Sequence, residues 1–300
     1  MKKTTASVGE RCLPLSNLDK DLYPSFGFTK AHVLEYYRRI SPCILPHLKD
    51  RALTLKRYPD GVEGDFFFEK RCPRYRPSWI ETADVVHSDG SSRTACLVND
   101  LDALIWVGNL ASLELHVPMA RASTPETPDF MVFDLDPGES VDILGCAHVA
   151  FMLRSVLAGL NLRSYPKTSG KKGLHVYVPL NNDEVTFDDT KKFSRTIAEV
   201  MQRNYPDNIT AVMAKDRRKG KVFINWAQNG ASNTTVCAYS LRAALKPTVS
   251  TPLTWDEVDD LAAKGHPGRL QFIFSQVVDR AEKYGDLFAD VLEQRQKLPY

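Results

Sequence analysis

The stretch that decides the architecture is Phe130-Met131-Val132-Phe133-Asp134-Leu135-Asp136-Pro137-Gly138. Alternate residues of a strand share a face, so Asp134 and Asp136 point one way while Met131, Phe133 and Leu135 point into a core. Pro137-Gly138 ends the strand and leaves both carboxylates at its carboxyl end. Two like charges so close repel and raise a pKa unless a cation neutralises them. A hard divalent ion does this, and Mg2+ is commonly held by one or two carboxylates together with substrate phosphates. The competing reading is a solvent-exposed, Asp-rich turn.

A second string, Lys167-Thr168-Ser169-Gly170-Lys171-Lys172-Gly173-Leu174-His175-Val176-Tyr177-Val178, reads as a loop feeding a strand. Gly170 and Gly173 let the backbone approach a ligand, and its N–H groups can form an anion-binding nest to which Lys171, Lys172 and the Ser169 hydroxyl add donors. The order G-x-x-x-x-G-K-[ST] is absent, so this is not a Walker loop. His175 shares a strand face with Tyr177; alone it reads as a core histidine, but with these bases upstream phosphate contact is favoured. A third strand, Lys221-Val222-Phe223-Ile224-Asn225-Trp226, puts Lys221, Phe223 and Asn225 on one face, and Leu113-Glu114-Leu115-His116-Val117 pairs Glu114 with His116. Such faces suit an active-site sheet backed by helices; they equally suit a half-exposed sheet.

Around these strings, helical and strand periodicities alternate. Thr29 caps a helical segment carrying Val33, Leu34, Tyr37 and Ile40, and Ser41-Pro42 reads as the start of another helix, with Ser at the N-cap and Pro at the first helical position. Helical patterns follow at 141–160 and 188–203, and Thr254 with Glu257 forms a capping box ahead of a helical stretch over 254–295. Strand-like runs lie at 52–58, 84–87, 113–117, 130–135, 174–179, 209–213, 221–226 and 234–239. With no repeat and no low-complexity linker, the pattern predicts one α/β catalytic unit of two lobes, 1–120 and 121–300, with Pro-rich segment 118–129 between them.

The 300 residues carry a net charge of only +2, with 25% charged and 43% hydrophobic residues, which excludes wholesale disorder. That average conceals basic runs at Arg163 to His175 and Lys215 to Lys221, and a third at Glu69 to Arg76 that follows Phe66-Phe67-Phe68. Any one of them is an ordinary solvated face; three, interleaved with aromatics, suit a phosphate backbone with stacked bases. No signal peptide and no membrane-length apolar run is present. The six cysteines lie at least 24 residues apart without a C-x-x-C pair, which predicts reduced thiols in an intracellular protein.

Taken in order, V-F-D-L-D-P-G, T-S-G-K-K-G-L-H and K-V-F-I-N-W-A-Q-N resemble the polymerase domain of bacterial and archaeal end-joining DNA ligases (ligase D), in the archaeo-eukaryotic primase superfamily. The similarity runs from Leu15-Ser16-Asn17-Leu18-Asp19-Lys20 to Tyr239-Ser240-Leu241-Arg242 and beyond. It implies an α+β, two-lobed primase-like fold over 1–300, whose mixed or antiparallel sheet carries the active site and is backed by helices. It also implies primer–template-dependent nucleotidyl transfer at broken DNA ends, with ribonucleotides preferred, two Mn2+ or Mg2+ ions, and Ku and a ligase module as partners. The DNA ends would carry a 5′-phosphate and 3′ overhangs or gaps, and the location would be the prokaryotic cytoplasm, at the nucleoid. By position, Asp134 and Asp136 match metal carboxylates, and Ser169, Lys172 and His175 match triphosphate and sugar contacts. His116, Arg218, Gln228, Arg242 and Lys56 match further nucleotide-site positions, with Arg57 beside Lys56. Phe67 and Phe68 match aromatics that pack on template bases, and Asn17, Lys20 and Lys30 match a pocket for a 5′-phosphate.

Asn225 stands where the family carries its third metal-binding Asp. An amide offers an oxygen but one negative charge fewer, so nucleotide and DNA binding should survive while phosphoryl transfer weakens. The change reads either as natural variation or as an engineered substitution in an active parent. Two rival functions follow from the same residues. A D-x-D glycosyltransferase would use the carboxylates for a nucleotide sugar but would not need three basic runs. A non-catalytic DNA end-bridging module would use the basic surface alone. No K-x-D-G ligase string is present, so joining would come from elsewhere.

Overall fold

In the computed structural model, which describes residues 3–86, 90–265 and 270–299, the chain begins with short strands. These are β1 (Lys3–Val8), β2 (Arg11–Ser16), β3 (Asp21–Tyr23) and β4 (Phe28–Thr29), followed by helix α1 (Lys30–Leu48). Strands β5 (Thr54–Arg57), β6 (Phe67–Glu69), β7 (Thr82–Val86) and β8 (Ser92–Cys96) come next, then α2 (Leu101–Asn109) and β9 (Ser112–Pro118). The second stretch holds β10 (Phe130–Pro137), α3 (Ile143–Gly159), β11 (Tyr165–Thr168), β12 (Leu174–Pro179), α4 (Phe187–Asn204), β13 (Ile209–Thr210) and β14 (Val222–Asn225). Strands β15 (Thr234–Val236), β16 (Leu241–Arg242) and β17 (Thr248–Val249) precede α5 (Trp255–Lys264), α6 (Phe274–Tyr284) and α7 (Asp290–Glu293). Two units result: Met1–Ser123 with Thr234–Ser250 and Ile273–Asp286, and Thr124–Asn233 with Thr251–Phe272 and Leu287–Tyr300.

Unit 1 is built on an antiparallel sheet of order β15-β9-β5-β6, so β6 is an edge strand paired only with β5. The apolar stripe of α1, including Val33, Leu34, Tyr37, Ile40 and Ile44, is buried with Leu113, Leu115 and Val117 of β9. Thr29 is the N-cap of α1, as its position predicts. Ser41-Pro42, however, starts no helix: α1 runs through both Pro42 and Pro46. Pro42 has no N–H for the Arg38 carbonyl four residues back. The Ser41 hydroxyl takes its place, donating to the Arg38 oxygen at 2.9 Å.

Unit 2 carries a five-stranded sheet of order β11-β12-β10-β14-β13 in which only β13 and β14 run parallel. The α/β alternation read from periodicity therefore does not translate into a parallel sheet. The fold is α+β, because β11 and β12 form a hairpin rather than being separated by a crossover helix. Met131, Phe133 and Leu135 of β10, Leu174, Val176 and Val178 of β12, and Val222 and Ile224 of β14 share one core with residues of α3, α4 and α5. The capping box at Thr254 forms, with the Thr254 N–H donating to Glu257 at 2.9 Å, but the helical stretch over 254–295 breaks into α5, α6 and α7. Its residues 266–269, and His87 of the 84–87 run, lie outside the described residues.

The cysteine expectation is corrected as well. Cys72 and Cys96 form a disulfide, and Cys12, Cys43, Cys146 and Cys237 are free. Sequence spacing could not reveal the pair because hydrogen bonding creates it: the Cys72 N–H donates to Thr94 of β8 at 2.7 Å, bringing the two Cα atoms to 4.8 Å. Among the described residues no helix is long and apolar enough to cross a membrane.

One side chain completes the sheet of unit 2. Asn229 accepts from the Val132 N–H at 2.7 Å and donates to the Val132 carbonyl at 2.8 Å, standing in for a strand residue beyond the end of β14. Both partners are buried. Asn229→Ala would strand a buried donor and acceptor, so it should lower stability by about 2–4 kcal/mol, read as a lower urea midpoint.

Candidate active site

The register of the unit 2 sheet sets the chemistry. Asp134 lies opposite His175 on one side and Asn225 on the other, and His175 lies opposite Lys167, so a polar row crosses four strands. His175 Nε2 is 3.3 Å from Asp134 Oδ1, and Asn225 Nδ2 donates to Asp134 Oδ2 at 3.4 Å. Asp136, two residues along, lies opposite Phe223. Both carboxylates are partly exposed, whereas His175 is buried and stacks 6.4 Å from Tyr177, on the strand face expected of it. Its first neighbour is thus a carboxylate.

Two basic loops are fastened to the carboxyl end of β10. The Gly138 N–H donates to Lys221 at 2.9 Å and the Gly220 N–H to Glu139 at 2.8 Å. Gly138 is obligatory there: a Cβ would fall 1.7 Å from the Arg218 carbonyl oxygen. The 215–221 run is thereby stapled beside Asp136. Arg218 lies 3.7 Å over the Phe223 ring and donates to the Met213 carbonyl. The other loop closes on Ser169, whose N–H donates to Gly173 O at 2.9 Å and whose Oγ accepts from Lys171 N at 3.2 Å and Gly173 N at 3.1 Å. Two of the N–H groups assigned to an anion nest are therefore spent on holding the loop. Gly170, at φ 73°, makes the turn, and Lys172 is exposed.

Unit 1 holds a second cluster. Glu114 is buried and accepts from the Ala243 N–H at 3.1 Å; its carboxylate lies 3.1 Å from His116 Nε2 and 3.6 Å from Arg242 Nε. Burial holds the His116 pKa below its usual value, against the hydrogen bond that Glu114 accepts from it. Lys56 Nζ lies 3.9 Å over the Phe66 ring and 5.4 Å over Phe68, while Arg57 sits 5.1 Å over Phe67 and pairs with Glu69 at 2.9 Å. Phe66, Phe67 and Phe68 are all exposed. A third group surrounds the start of α1. Lys30 Nζ is buried and donates to Ser16 O at 2.8 Å and Asn109 O at 2.9 Å. Burial, with Lys20 and Arg57 nearby, brings the Lys30 pKa down to about 8. Asn17 adopts φ 51°, and Lys20 forms an exposed ion pair with Asp60 at 2.7 Å.

The structure thus brings Asp134, Asp136, His175, Asn225, Ser169 and Arg218 together in unit 2, with Gln228 in the turn after β14. It gathers Lys56, His116 and Arg242 in unit 1, and Asn17, Lys20 and Lys30 around the start of α1. Among the described residues no three His, Cys, Asp or Glu side chains form a metal cage. The donor set still fits a divalent ion that takes part of its oxygen shell from a substrate, since Asp134 and Asp136 present two carboxylates on one face. Sequence reading paired Glu114 with His116 and placed Phe66 in an aromatic triplet without giving either a role of its own, and it passed over Asn229. Glu114 shares its strand face with His116, which was the available signal; Asn229 gave none, because a side chain replacing backbone leaves no periodicity.

Comparison with known proteins fixes the class. The model of the family described as LigD, primase-polymerase domain, matches residues 29–288. The chain is 42% identical over 279 residues to the multifunctional non-homologous end joining protein LigD of Mycolicibacterium smegmatis, covering 92% of this chain and 35% of that protein. It is 32% identical over 287 residues to the bifunctional non-homologous end joining protein LigD of Bacillus subtilis, covering 96% of this chain and 45% of that one. The polymerase domain from Mycobacterium tuberculosis ligase D, solved in complex with DNA, matches with a TM-score of 0.87 at 35% identity, over 95% of this chain and 99% of that chain. This chain therefore belongs to the LigD primase-polymerase domain family, a family of nucleotidyltransferases. It spans less than half the length of the two LigD proteins.

Gly173 is the sharpest test of the loop geometry, because a Cβ there would lie 2.3 Å from the Leu135 carbonyl oxygen. Gly173→Ala should displace the Ser169–Gly173 loop, cost about 1–3 kcal/mol in thermal unfolding and weaken nucleoside triphosphate binding in calorimetry. Unchanged affinity would show that the loop does not serve the triphosphate.

Proposed function

We propose that this domain is a primer–template-dependent nucleotidyl transferase that fills gaps at double-strand breaks during end joining, prefers ribonucleotides, and is weakened in phosphoryl transfer by Asn225. The observation that carries the reading is the pair Asp134 and Asp136 at the carboxyl end of β10, with two basic, glycine-fastened loops beside them. Asp134 and Asp136 would hold a divalent ion, Mn2+ or Mg2+, with Asn225 contributing at most an amide oxygen. Bound ions would supply neutralisation of the triphosphate and a lowered pKa at the primer 3′-hydroxyl. His175 orients the Asp134 carboxylate; Lys172, Ser169 and Arg218 neutralise and position phosphates, with Gln228 beside them. His116, Arg242 and Lys56 make further nucleotide contacts, and Glu114 holds the first two. Phe67 and Phe68 stack on template bases, worth about 1–3 kcal/mol per base where such contacts form. Asn17, Lys20 and Lys30 take a 5′-phosphate, and Ku and a ligase act as partners at the break.

Asn225→Asp is the decisive experiment. A third carboxylate 3.4 Å from Asp134 would repel it without a cation. The variant should melt lower without metal, recover with Mn2+, and extend a primer with ribonucleotides at least about tenfold faster than the parent. Thermal shift with and without Mn2+ and a templated extension assay check this. A variant that remains inert, together with nucleotide binding that ignores Asp134→Ala, would leave the end-bridging role as the better reading.

The Lys30 pocket gives a pH prediction. Its cation exists below the pKa of about 8 and is lost above it. Binding of a 5′-phosphorylated gap should therefore weaken between pH 7 and pH 9, as the charged fraction falls from about 0.9 to about 0.1. Unphosphorylated gaps should show little of this loss, and Lys30→Met should remove the difference between the two substrates. Fluorescence anisotropy on both substrates measures it.

A further inference from the structure

We propose that Cys72 and Cys96 are a reversible thiol–disulfide couple that sets the order of the 66–80 segment, and with it the grip of unit 1 on a template strand. The second half rests on the polymerase reading; the first does not. The segment begins on β6, an edge strand of three residues, and carries Phe66, Phe67, Phe68, Arg71, Arg74, Tyr75 and Arg76. Beyond Glu69 its covalent tie to the rest of unit 1 is the disulfide to the end of β8. Its other ties include single hydrogen bonds, Cys72 N–H to Thr94 O at 2.7 Å, Arg71 to Ser92 O at 3.4 Å, Arg57 to the Tyr75 hydroxyl at 3.1 Å and Arg93 to Lys70 O, with Arg11 over the Trp79 ring and the buried Pro73 and Ile80 holding it further. The 24-residue separation means that the bond closes a long loop, so its loss releases more chain freedom than a short link would.

The surroundings favour exchange. Among the described residues Arg93 Nε is buried without a hydrogen-bond partner, and burial together with Arg71 lowers the Arg93 pKa, so two guanidinium groups crowd the same corner. Positive potential stabilises a thiolate, the form that attacks disulfides. Arg71 precedes Cys72, which is 8% exposed against 3% for Cys96, so Cys72 is the entry point. The partner is a low-molecular-weight disulfide, RSSR. The Cys72 thiolate attacks one of its sulfurs, forming a mixed disulfide and releasing one RSH. The Cys96 thiolate then attacks the Cys72 sulfur, forming the protein disulfide and releasing a second RSH. The protein loses two electrons and two protons, which the two RSH molecules carry away, and an excess of dithiol reverses both steps. The core thiols do not compete: burial pushes Cys43 up to about 11 and Cys146 higher still, whereas Cys12 is exposed and reacts independently of the pair.

The test uses the whole chain equilibrated with oxidised or reduced glutathione, then alkylated after denaturation. Peptide mapping should find Cys72 and Cys96 unlabelled and joined to each other in the oxidised protein, whatever the state of the exposed Cys12, and all six cysteines labelled in the reduced protein. Hydrogen exchange over 66–80 should quicken on reduction, and affinity for a single-stranded template overhang should fall by about fivefold. Cys72→Ser/Cys96→Ser should match the reduced protein in either buffer. Labelled Cys72 and Cys96 under oxidising conditions, or exchange indifferent to the redox state, would overturn the couple itself. Faster exchange with unchanged overhang affinity would overturn the link to the template, provided that Phe67→Ala/Phe68→Ala lowers that affinity. If that double variant has no effect either, the template assignment is what fails, and the couple stands on labelling and exchange.

Discussion

The register of β10 between β12 and β14 is the constraint on which the site depends. A strand places successive side chains on opposite faces, so a slip of one residue would turn Asp134 and Asp136 into the core and bring Phe133 and Leu135 to the reactive face. The alternation of large apolar residues makes that slip prohibitive: Met131, Phe133 and Leu135 are completely buried, as are Leu174, Val176 and Ile224 on the flanking strands. The same register that packs the core lines up His175, Asp134 and Asn225. The geometry of the candidate site is thus a by-product of hydrophobic packing.

The glycines at the end of β10 extend this logic from strands to loops. Loops gain precision when backbone meets backbone, and Gly138 and Gly173 allow that at the two edges of the carboxylate pair. The basic runs are thereby tied to the rigid sheet through main-chain hydrogen bonds. Preorganised positive charge costs less to use than charge that must first be ordered. The exposed Lys172 and the half-buried Arg218 gain their placement from these anchors.

Much of unit 2 was legible in the sequence because its central strands β10 and β12 alternate cleanly and end on Pro. The faces assigned to Asp134, Asp136, His175, Phe223 and Asn225 are those observed. Unit 1 was harder to read. Its strands are short, β3, β4 and β6 having two or three residues each, and such segments carry no period. The α1 error at Ser41-Pro42 came from treating proline as a start signal where a neighbouring hydroxyl repairs the missing bond. The disulfide and the Asn229 bridge arise from contacts between distant residues, which local patterns do not encode. In the 169–173 loop the residue types were legible, but the role of Ser169 as an internal acceptor was not.

The exposed phenylalanines of β6 have a bearing on how this domain behaves in solution. Phe67 and Phe68 on this sheet edge, with Phe66 just before it, are the composition from which proteins associate edge to edge. Here the strand is kept to three residues, Lys56 and Arg57 cover its rings, and Glu69 closes it with a negative charge. The cations that suit this edge to a nucleic acid therefore also act as gatekeepers against self-association. Trimming them to test the proposed nucleic-acid contact would carry a second effect, a domain that stays folded but loses solubility as its concentration rises.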